Sequence, residues 1–225
     1  MTEQDSPLIK SIAVLGGTGK EGSALAMRWA IKGYKVIIGS RSADKAQTTA
    51  NEINQALEGE YIVGLSNEEA SEQAEIIVLS VPYSAHAKTL NSVKDYLTGK
   101  VLVDITVPIT PPDVFTVTVP SGLSAAQEAQ ALLGADVRVV SAFQNVSYVK
   151  IKNPNTHVDC DVLVSGDDAE AKEDVLALID AAGMRGIDVG PLANAIVAES
   201  LTPVLLYINK KYGAKGAGIR ITGIE

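Results

Sequence analysis

The sequence has little of the two residue types that most often bind metals or form disulfides. Its 225 residues include one cysteine, Cys160, and two histidines, His86 and His157. A single cysteine excludes an internal disulfide, and only His157 lies near Cys160, without further ligands at metal-binding spacing. We therefore expect no metal site and a buried, structural thiol at Cys160.

Long apolar runs and an excess of basic residues are also lacking. No uninterrupted apolar run reaches the roughly 18 residues that span a membrane, and the acidic start, residues 1–5, differs from the basic start of a signal peptide. The 19 basic and 27 acidic side chains give a net charge of −8, the wrong sign for binding DNA, RNA or anionic lipid. We expect a cytoplasmic protein without a nucleic-acid or membrane partner. A local basic pocket for an anionic cofactor is compatible with this charge.

What is present is a regular alternation of short apolar runs and segments of helical periodicity. Residues 11–15, 21–31 and 35–39 predict a strand, a helix and a second strand, with glycines at the turn. The alternation continues to a strand at residues 137–143. Strands that are apolar on both faces and separated by helices indicate a parallel sheet covered on both sides. The predicted fold class is therefore α/β, a doubly wound Rossmann sheet.

Two segments interrupt the alternation of strands and helices. Residues 107–120 are rich in proline and predict a long loop at a strand end, a candidate lid. A polar, proline-bearing segment at residues 147–157 predicts a domain boundary. We expect a sheet domain at residues 1–150 and a small C-terminal α/β appendage at residues 151–225.

The last predicted helix, from Pro191 to about Lys211, is apolar on most of its faces. Pro203 inside it predicts a kink. Such a helix needs burial against the sheet domain, a ligand or another subunit, because few of its positions are polar. We expect a homodimer.

A glycine-rich turn follows the first strand. It carries the pattern G-x-G-x-x-G, formed by Gly17, Thr18, Gly19, Lys20, Glu21 and Gly22. Between a strand and a helix this pattern is typical of dinucleotide binding, because glycines allow a tight turn and let backbone N–H groups approach a pyrophosphate. We expect these six residues to bind the cofactor.

The end of the second predicted strand distinguishes between two dinucleotides. An NAD site places a carboxylate there to bind the ribose 2′-hydroxyl. This chain has Ser40 and Arg41 instead, with Lys45 one turn into the next helix. Hydroxyl and cationic groups suit the 2′-phosphate of NADP(H), which we therefore predict as the cofactor.

The carboxyl ends of two later strands carry further candidates. They are Val81, Pro82 and Tyr83 after one strand, and Gln144, Asn145 and Val146 after the other. Ligands of doubly wound sheets gather at this edge, so we expect these residues to line the nicotinamide side. The amides of Gln144 and Asn145 are suited to contact a ring.

Candidate catalytic side chains are sparse. Neither His86 nor His157 belongs to a triad, a metal set or an acid/base pair. Hydride exchange between two redox cofactors leaves nearly all of the chemistry to the cofactors, whereas alcohol dehydrogenation usually needs a positioned proton donor. We expect no catalytic side chain.

Several segments together resemble the NADPH-dependent F420 reductases. The resemblance rests on GGTGKEG, on GSR with Lys45, on SVPY, VVSAFQNV and VSGDD, and above all on VGPLANAIVAESLTPVLL. It implies a Rossmann domain that binds NADP and a small C-terminal part that closes a pocket over the deazaflavin coenzyme F420. The implied reaction is hydride transfer between NADP(H) and F420.

The resemblance also implies roles for individual residues. The matches are Thr18, Gly19, Lys20 and Glu21 in the phosphate turn, Ser40, Arg41 and Lys45 at the 2′-phosphate, and Tyr83 as an aromatic residue beside the nicotinamide. It implies a histidine where this chain has Gln144, so the second substrate stays open. The alternatives are an NADPH-dependent reductase of a flavin, a ferric chelate or an imine, and a non-catalytic NADPH sensor.

Overall fold

A single sheet organises the chain in the computed structural model, which describes residues 10–224; the acidic start used in the signal-peptide argument lies outside the described residues. The strands are β1 (Ile12–Leu15), β2 (Val36–Ser40), β3 (Ile62–Ser66), β4 (Ile76–Leu79), β5 (Val101–Asp104), β6 (Arg138–Ser141), β7 (Asp161–Gly166) and β8 (Arg185–Asp188). Their spatial order is β3-β2-β1-β4-β5-β6-β7-β8. All neighbours pair in parallel except β6 and β7.

Helices connect the parallel strands and cover both faces of the sheet. They are α1 (Lys20–Ile31), α2 (Ala43–Ala56), α3 (Asn67–Gln73), α4 (Tyr83–Val93), α5 (Ala125–Leu133), α6 (Tyr148–Ile151), α7 (Ala169–Ala181) and α8 (Ala195–Tyr212). Two apolar clusters form the core, because alternate residues of each strand point to opposite faces. Val14 of β1 belongs to one cluster and Leu15 to the other.

The strand order reverses at β1, where β2 lies on one side and β4 on the other. Such a reversal opens a crevice at the carboxyl ends of the strands, the usual ligand position in this architecture. The predicted doubly wound Rossmann sheet is confirmed.

The sheet continues through the predicted boundary at residues 147–157. The C-terminal strands β7 and β8 extend it beyond β6. Trp29 of α1 packs edge-on against Phe143, with ring centroids 6.0 Å apart, and donates a hydrogen bond of 2.8 Å to the Leu178 carbonyl of α7. One core therefore joins the two parts, and their division into domains stays a prediction.

Helix α8 begins at Ala195, after a short 3₁₀ turn, and contains Pro203 as expected. With that turn it is long and apolar enough to span a membrane, and a third of its apolar window is buried inside the fold. The buried Glu199 carboxylate accepts hydrogen bonds from α5, which ties the helix to the sheet domain. One apolar face, including Val197 and Tyr207, remains exposed in the single chain.

Candidate functional site

Two adjoining cavities lie at the carboxyl edge of the sheet, beside the strand-order reversal. The larger cleft has a volume of about 580 Å³ and the smaller cavity about 200 Å³. Both are lined by Gly19, Ser80, Val81 and Pro82. They form one elongated site that extends to both sides of the turn after β1.

The glycines of this turn have two different roles. A Cβ atom on Gly17 would lie 2.6 Å from the Val14 carbonyl oxygen, and one on Gly22 would lie 3.0 Å from the Gly17 Cα. These two glycines allow close packing of helix and strand. A Cβ on Gly19 would have one neighbour within 4 Å, the Gly16 carbonyl oxygen at 3.3 Å. Gly19 therefore faces open space, where a ligand backbone fits.

The start of α1 lacks a side-chain cap within the described part of the chain. Its N-cap residue is Gly19, which has no side chain to accept a hydrogen bond from the first turn. Unpaired N–H groups and the helix dipole together favour an anion at this position. The turn thus has the donors and the space that a pyrophosphate requires.

The smaller cavity contains the predicted 2′-phosphate residues. Thr18, Ser40 and Arg41 line it, and Asn67 joins them from the start of α3. Lys45 is exposed on the first turn of α2 and is not among the lining residues of either cavity. The guanidinium of Arg41 supplies a cation at the end of the site opposite the larger cleft.

Most of the predicted ring-binding residues line the larger cleft. These are Val81, Pro82, Tyr83, Gln144 and Val146, and Lys20 and Glu21 of the predicted phosphate turn also line this cleft. The structure adds lining residues that were not among the predicted site residues, namely Ser80, Ser84, Ile105, Thr106, Val107, Ile109, Thr110, Pro111 and Thr202. Ile109 to Pro111 belong to the loop expected as a lid, which forms one wall of the cleft. Thr202 lies in the SLTP segment of α8.

Asn145 does not reach the cleft with its amide. Its Nδ2 donates to the Asp161 carbonyl at 2.6 Å, and its Oδ1 accepts from the Leu163 N–H at 3.3 Å. Residues 143–146 form a turn in which the Val146 N–H donates to the Phe143 carbonyl at 2.9 Å. Gln144 and Val146 line the cleft from this turn, while the Asn145 amide faces β7. In this structure Asn145 joins β6 to β7.

Gln144 is held rigidly in the floor of the cleft and is only 4% exposed. Its Nε2 donates to the Asp104 carbonyl at 2.7 Å and to the Ser141 hydroxyl at 2.8 Å. Thr202 donates to the Gln144 carbonyl at 2.7 Å, so α8 is fixed to the same floor.

Tyr83 is oriented by a carboxylate on α5. Its hydroxyl donates to both Glu128 oxygens at 3.0 Å, and its ring stacks on His86 with centroids 6.2 Å apart. Burial, together with the Glu128 carboxylate, raises the pKa of the phenol to about 12. Tyr83 is therefore a neutral aromatic wall at physiological pH.

A buried ion pair lies behind this wall, and it corrects the expectation that His86 belongs to no acid/base pair. His86 Nε2 is 2.6 Å from Asp104 Oδ2, and both side chains are inaccessible to solvent. Burial alone would lower the pKa of His86, but the hydrogen bond and charge of Asp104 raise it above its ordinary value. Asp104 also accepts from the Thr106 N–H at 2.9 Å, which positions the start of the cleft loop.

Glu199 of α8 is a second buried carboxyl group near the cleft, after Asp104. Its two oxygens accept the Ala125 and Ala126 N–H groups at 2.8 and 3.2 Å. Desolvation outweighs these contacts and raises the pKa of its carboxyl to about 8.

Glu21 differs from these carboxyls because it faces the cleft. It is half-buried in the first turn of α1 and is the sole carboxyl side chain among the lining residues. Loss of contact with water raises the pKa of Glu21 to about 8.

A family model and two relatives matched over nearly the whole chain carry the same description. Residues 11–108 match the family model described as NADP oxidoreductase, coenzyme F420-dependent. The chain is 40% identical over 222 residues to the F420-dependent NADP reductase of Methanocaldococcus jannaschii, covering 95% of this chain and 99% of that protein. It is 41% identical over 222 residues to the protein of the same name from Methanothermobacter marburgensis, covering 95% and 98%.

A solved structure gives the same result. The crystal structure of a putative F420-dependent NADP reductase from Arthrobacter sp. FB24 superposes with a TM-score of 0.81 at 26% identity, covering 95% of this chain and 99% of that one. With relatives matched over nearly their whole length, the chain belongs to the family of F420-dependent NADP reductases.

Proposed function

We propose that this protein transfers a hydride between NADP(H) and coenzyme F420. The observation that carries the proposal is the pair of adjoining cavities, one with the Arg41 cation and the other with apolar walls, connected at Gly19. This arrangement suits a dinucleotide with a phosphorylated ribose at one end and a redox ring at the other. Family membership supports F420 as the second substrate.

The residues at the small end fit the phosphates of NADP(H). The uncapped start of α1 and the open side of Gly19 provide N–H donors and space for the pyrophosphate. Ser40 and Arg41 line the smaller cavity, which supports their binding the 2′-phosphate, and Lys45 adds a positive charge on the first turn of α2. The carboxylate that would select the unphosphorylated ribose is absent from the end of β2.

The larger cleft holds and orients the reacting rings. When bound, the reduced nicotinamide supplies the hydride at C4 and the deazaflavin accepts it at C5. Val81, Tyr83 and Gln144 set the walls and floor, and the apolar loop residues Ile109 and Pro111 exclude water. The protein then contributes alignment and the exclusion of water, and no side chain has to act as an acid or a base in the hydride transfer.

Turnover with the purified protein tests this function. NADPH stereospecifically deuterated at C4 is mixed with F420, the visible absorbance of F420 is followed, and the label is traced. Deuterium on the deazaflavin is the expected result. Loss of the label to solvent, or no turnover with F420, contradicts it. Parallel assays with a flavin, a ferric chelate and a cyclic imine identify a reductase of another acceptor, and NADPH binding without any turnover identifies a sensor.

We also propose that the protein acts in the cytoplasm as a homodimer. Val197, Val204 and Tyr207 lie on one face of α8 and are 54%, 42% and 53% exposed, an apolar stripe that a second copy would cover. Val204→Glu is expected to shift the molar mass measured by light scattering from dimer to monomer. Val63→Glu on the edge strand β3 is the control, since Val63 is equally exposed at 52% but lies far along the sheet from α8. A wild-type monomer contradicts the proposal.

A further inference from the structure

Glu21 carries a carboxyl group next to the proposed phosphate site, where a negative charge would repel the phosphates. It follows Gly19 by two residues, in the first turn of the helix whose start is suited to bind phosphate. It lines the larger cleft and is absent from the lining of the smaller cavity. Within residues 10–224 its carboxyl has no hydrogen-bond or ion-pair partner.

The other carboxyls near the cleft are occupied by the protein itself, and that of Asp104 is paired with His86. Glu128 accepts hydrogen bonds from Tyr83, and Glu199 accepts two backbone N–H groups of α5. Both therefore stabilise the walls of the site. Glu21 has no such structural contact, so its carboxyl is available to a ligand.

The ligand groups that enter the cleft differ in charge. The phosphates of NADP(H) are anionic and are repelled by a carboxylate, so Glu21 does not serve their binding. The nicotinamide ring carries a formal positive charge in NADP⁺ and none in NADPH. Among the groups expected here, the oxidised ring is the one that a carboxylate attracts.

We propose that Glu21 makes the site discriminate between the two redox states of the nicotinamide, holding NADP⁺ in preference to NADPH. The proposal rests on the proposed function only in placing the nicotinamide in the larger cleft. The phosphates and ribose are the same in both forms, and Lys20 acts equally on both. The ratio of the two dissociation constants therefore isolates the interaction of Glu21 with the ring.

Linkage fixes the direction of the pH effect. A carboxyl that is half-buried and whose pKa is about 8 is mostly neutral at pH 6.5 and ionised at pH 9.5. Preference for NADP⁺ must therefore grow as the pH rises, and bound NADP⁺ must lower the pKa of Glu21 in return. Lys20 and Tyr83 also line the cleft, and His86, Asp104, Glu128 and Glu199 lie behind Tyr83. The comparison at one pH with a neutral variant is therefore decisive.

The experiment measures both dissociation constants by calorimetric titration, without F420, for the wild type and Glu21→Gln. At pH 9.5 the ratio Kd(NADPH)/Kd(NADP⁺) of the wild type is expected to exceed that of the variant by about tenfold, which corresponds to about 30 mV in the potential of the bound two-electron couple. At pH 6.5 the two ratios are expected to agree within about twofold.

Glu21→Leu and Lys20→Gln serve as matched variants. Glu21→Leu should match Glu21→Gln at pH 9.5, and Lys20→Gln should weaken both cofactor forms by the same factor. Equal ratios for wild type and Glu21→Gln at pH 9.5 overturn the proposal, as does failure of the wild type to bind NADP(H). If the ratios differ as expected but F420 is not reduced, the proposal stands and the proposed function fails.

Discussion

The starts of α1 and α5 both lie at the carboxyl edge of the sheet, on opposite faces, and their backbone N–H groups meet different partners. At α5 the Ser124 side chain accepts the Gln127 N–H, and the Glu199 carboxylate accepts the N–H groups of Ala125 and Ala126. At α1 the cap is Gly19, without a side-chain hydrogen bond. The fold satisfies the N–H groups at the start of α5 with its own side chains, whereas the start of α1 is the proposed phosphate site.

This difference distinguishes residues that stabilise the walls of the site from residues that are proposed to bind the substrate. Around α5, removal of a partner leaves a buried group unsatisfied, which lowers the free energy of unfolding. Around α1, a change that fills space or removes charge affects binding while the fold is retained. We call the start of α1, with its uncapped N–H groups, the open end and the start of α5, with its paired N–H groups, the closed end. The following variants test whether the two ends differ in this way.

Gly19→Val should have the largest effect on the open end. The added side chain projects into the space proposed for the pyrophosphate, so NADPH affinity should fall by more than about 100-fold, while the circular dichroism spectrum is retained. Gly17→Val is the contrasting variant, because its Cβ would lie 2.6 Å from the Val14 carbonyl and the turn itself must shift. Calorimetric titration of both variants checks the prediction. Retained affinity in a folded Gly19→Val protein contradicts the phosphate turn.

Among the buried residues behind the closed end, His86→Ala should have the largest effect on stability. It leaves the Asp104 carboxylate buried without its partner, and the expected loss in the free energy of unfolding is about 3–5 kcal/mol. Urea denaturation measures this loss. The exposed His157→Ala is the control, and its effect should remain within about 0.5 kcal/mol.

The pH dependence of the His86 effect has a defined sign. The folded-state pKa of His86 is raised above its ordinary value of 6.5. The stabilisation is therefore complete below pH 6.5 and is lost as the pH rises through the folded-state pKa. The difference between wild type and His86→Ala should shrink on the alkaline side, and a constant difference contradicts the charged pair.

Sequence patterns located the open end but not the closed end. The turn with Gly17, Gly19 and Gly22 is local, and Arg41 follows the next strand, so periodicity and spacing suffice to predict both. Glu199 meets Ala125 across 74 positions of the chain, and no short-range pattern encodes that contact. Pairs of this kind become visible only when the fold brings them together.

The ring end shows a second limit of sequence reasoning. Gln144 and Asn145 are both polar residues at the end of β6, and both were expected at the ring. The chain turns at residues 143–146, and this turn sends one amide to the cleft floor and the other to β7. The short helix α6 was also not predicted, because its four residues give too little periodicity to recognise.

Arg41→Ala should have an intermediate effect that is confined to the open end. The loss of a charge-assisted contact with the 2′-phosphate is worth roughly 1.5–3 kcal/mol, or about 10–150-fold in NADPH affinity. NAD binding should hardly change, because NAD lacks that phosphate. Dissociation constants for both cofactors, with wild type and variant, check this. An equal loss for both, or a wild-type preference for NAD, contradicts the assignment of Arg41.

Glu199 offers the smallest change at the closed end, because it can be neutralised without being removed. Glu199→Gln keeps a carbonyl that accepts from the start of α5, so its effect on stability at pH 6 should be less than about 1 kcal/mol. Glu199→Ala leaves both N–H groups unsatisfied and should cost about 2 kcal/mol or more. Urea denaturation of the two variants separates the hydrogen bonds from the charge.

The charge of Glu199 should appear in the pH dependence of stability. Two effects oppose each other at this carboxyl: the helix start favours the anion, and burial favours the neutral acid. Burial dominates, so the pKa rises from 4.5 in the unfolded chain to about 8 in the folded one. Between these values the folded state binds the extra proton, and stability falls as the pH rises, by at most about 1.4 kcal/mol per pH unit. Unfolding measured from pH 5 to pH 8 should therefore show a shallower decline for Glu199→Gln than for wild type. Identical slopes would mean that the helix start holds Glu199 ionised, as a fixed anion that caps α5 in the way proposed for a bound phosphate at α1.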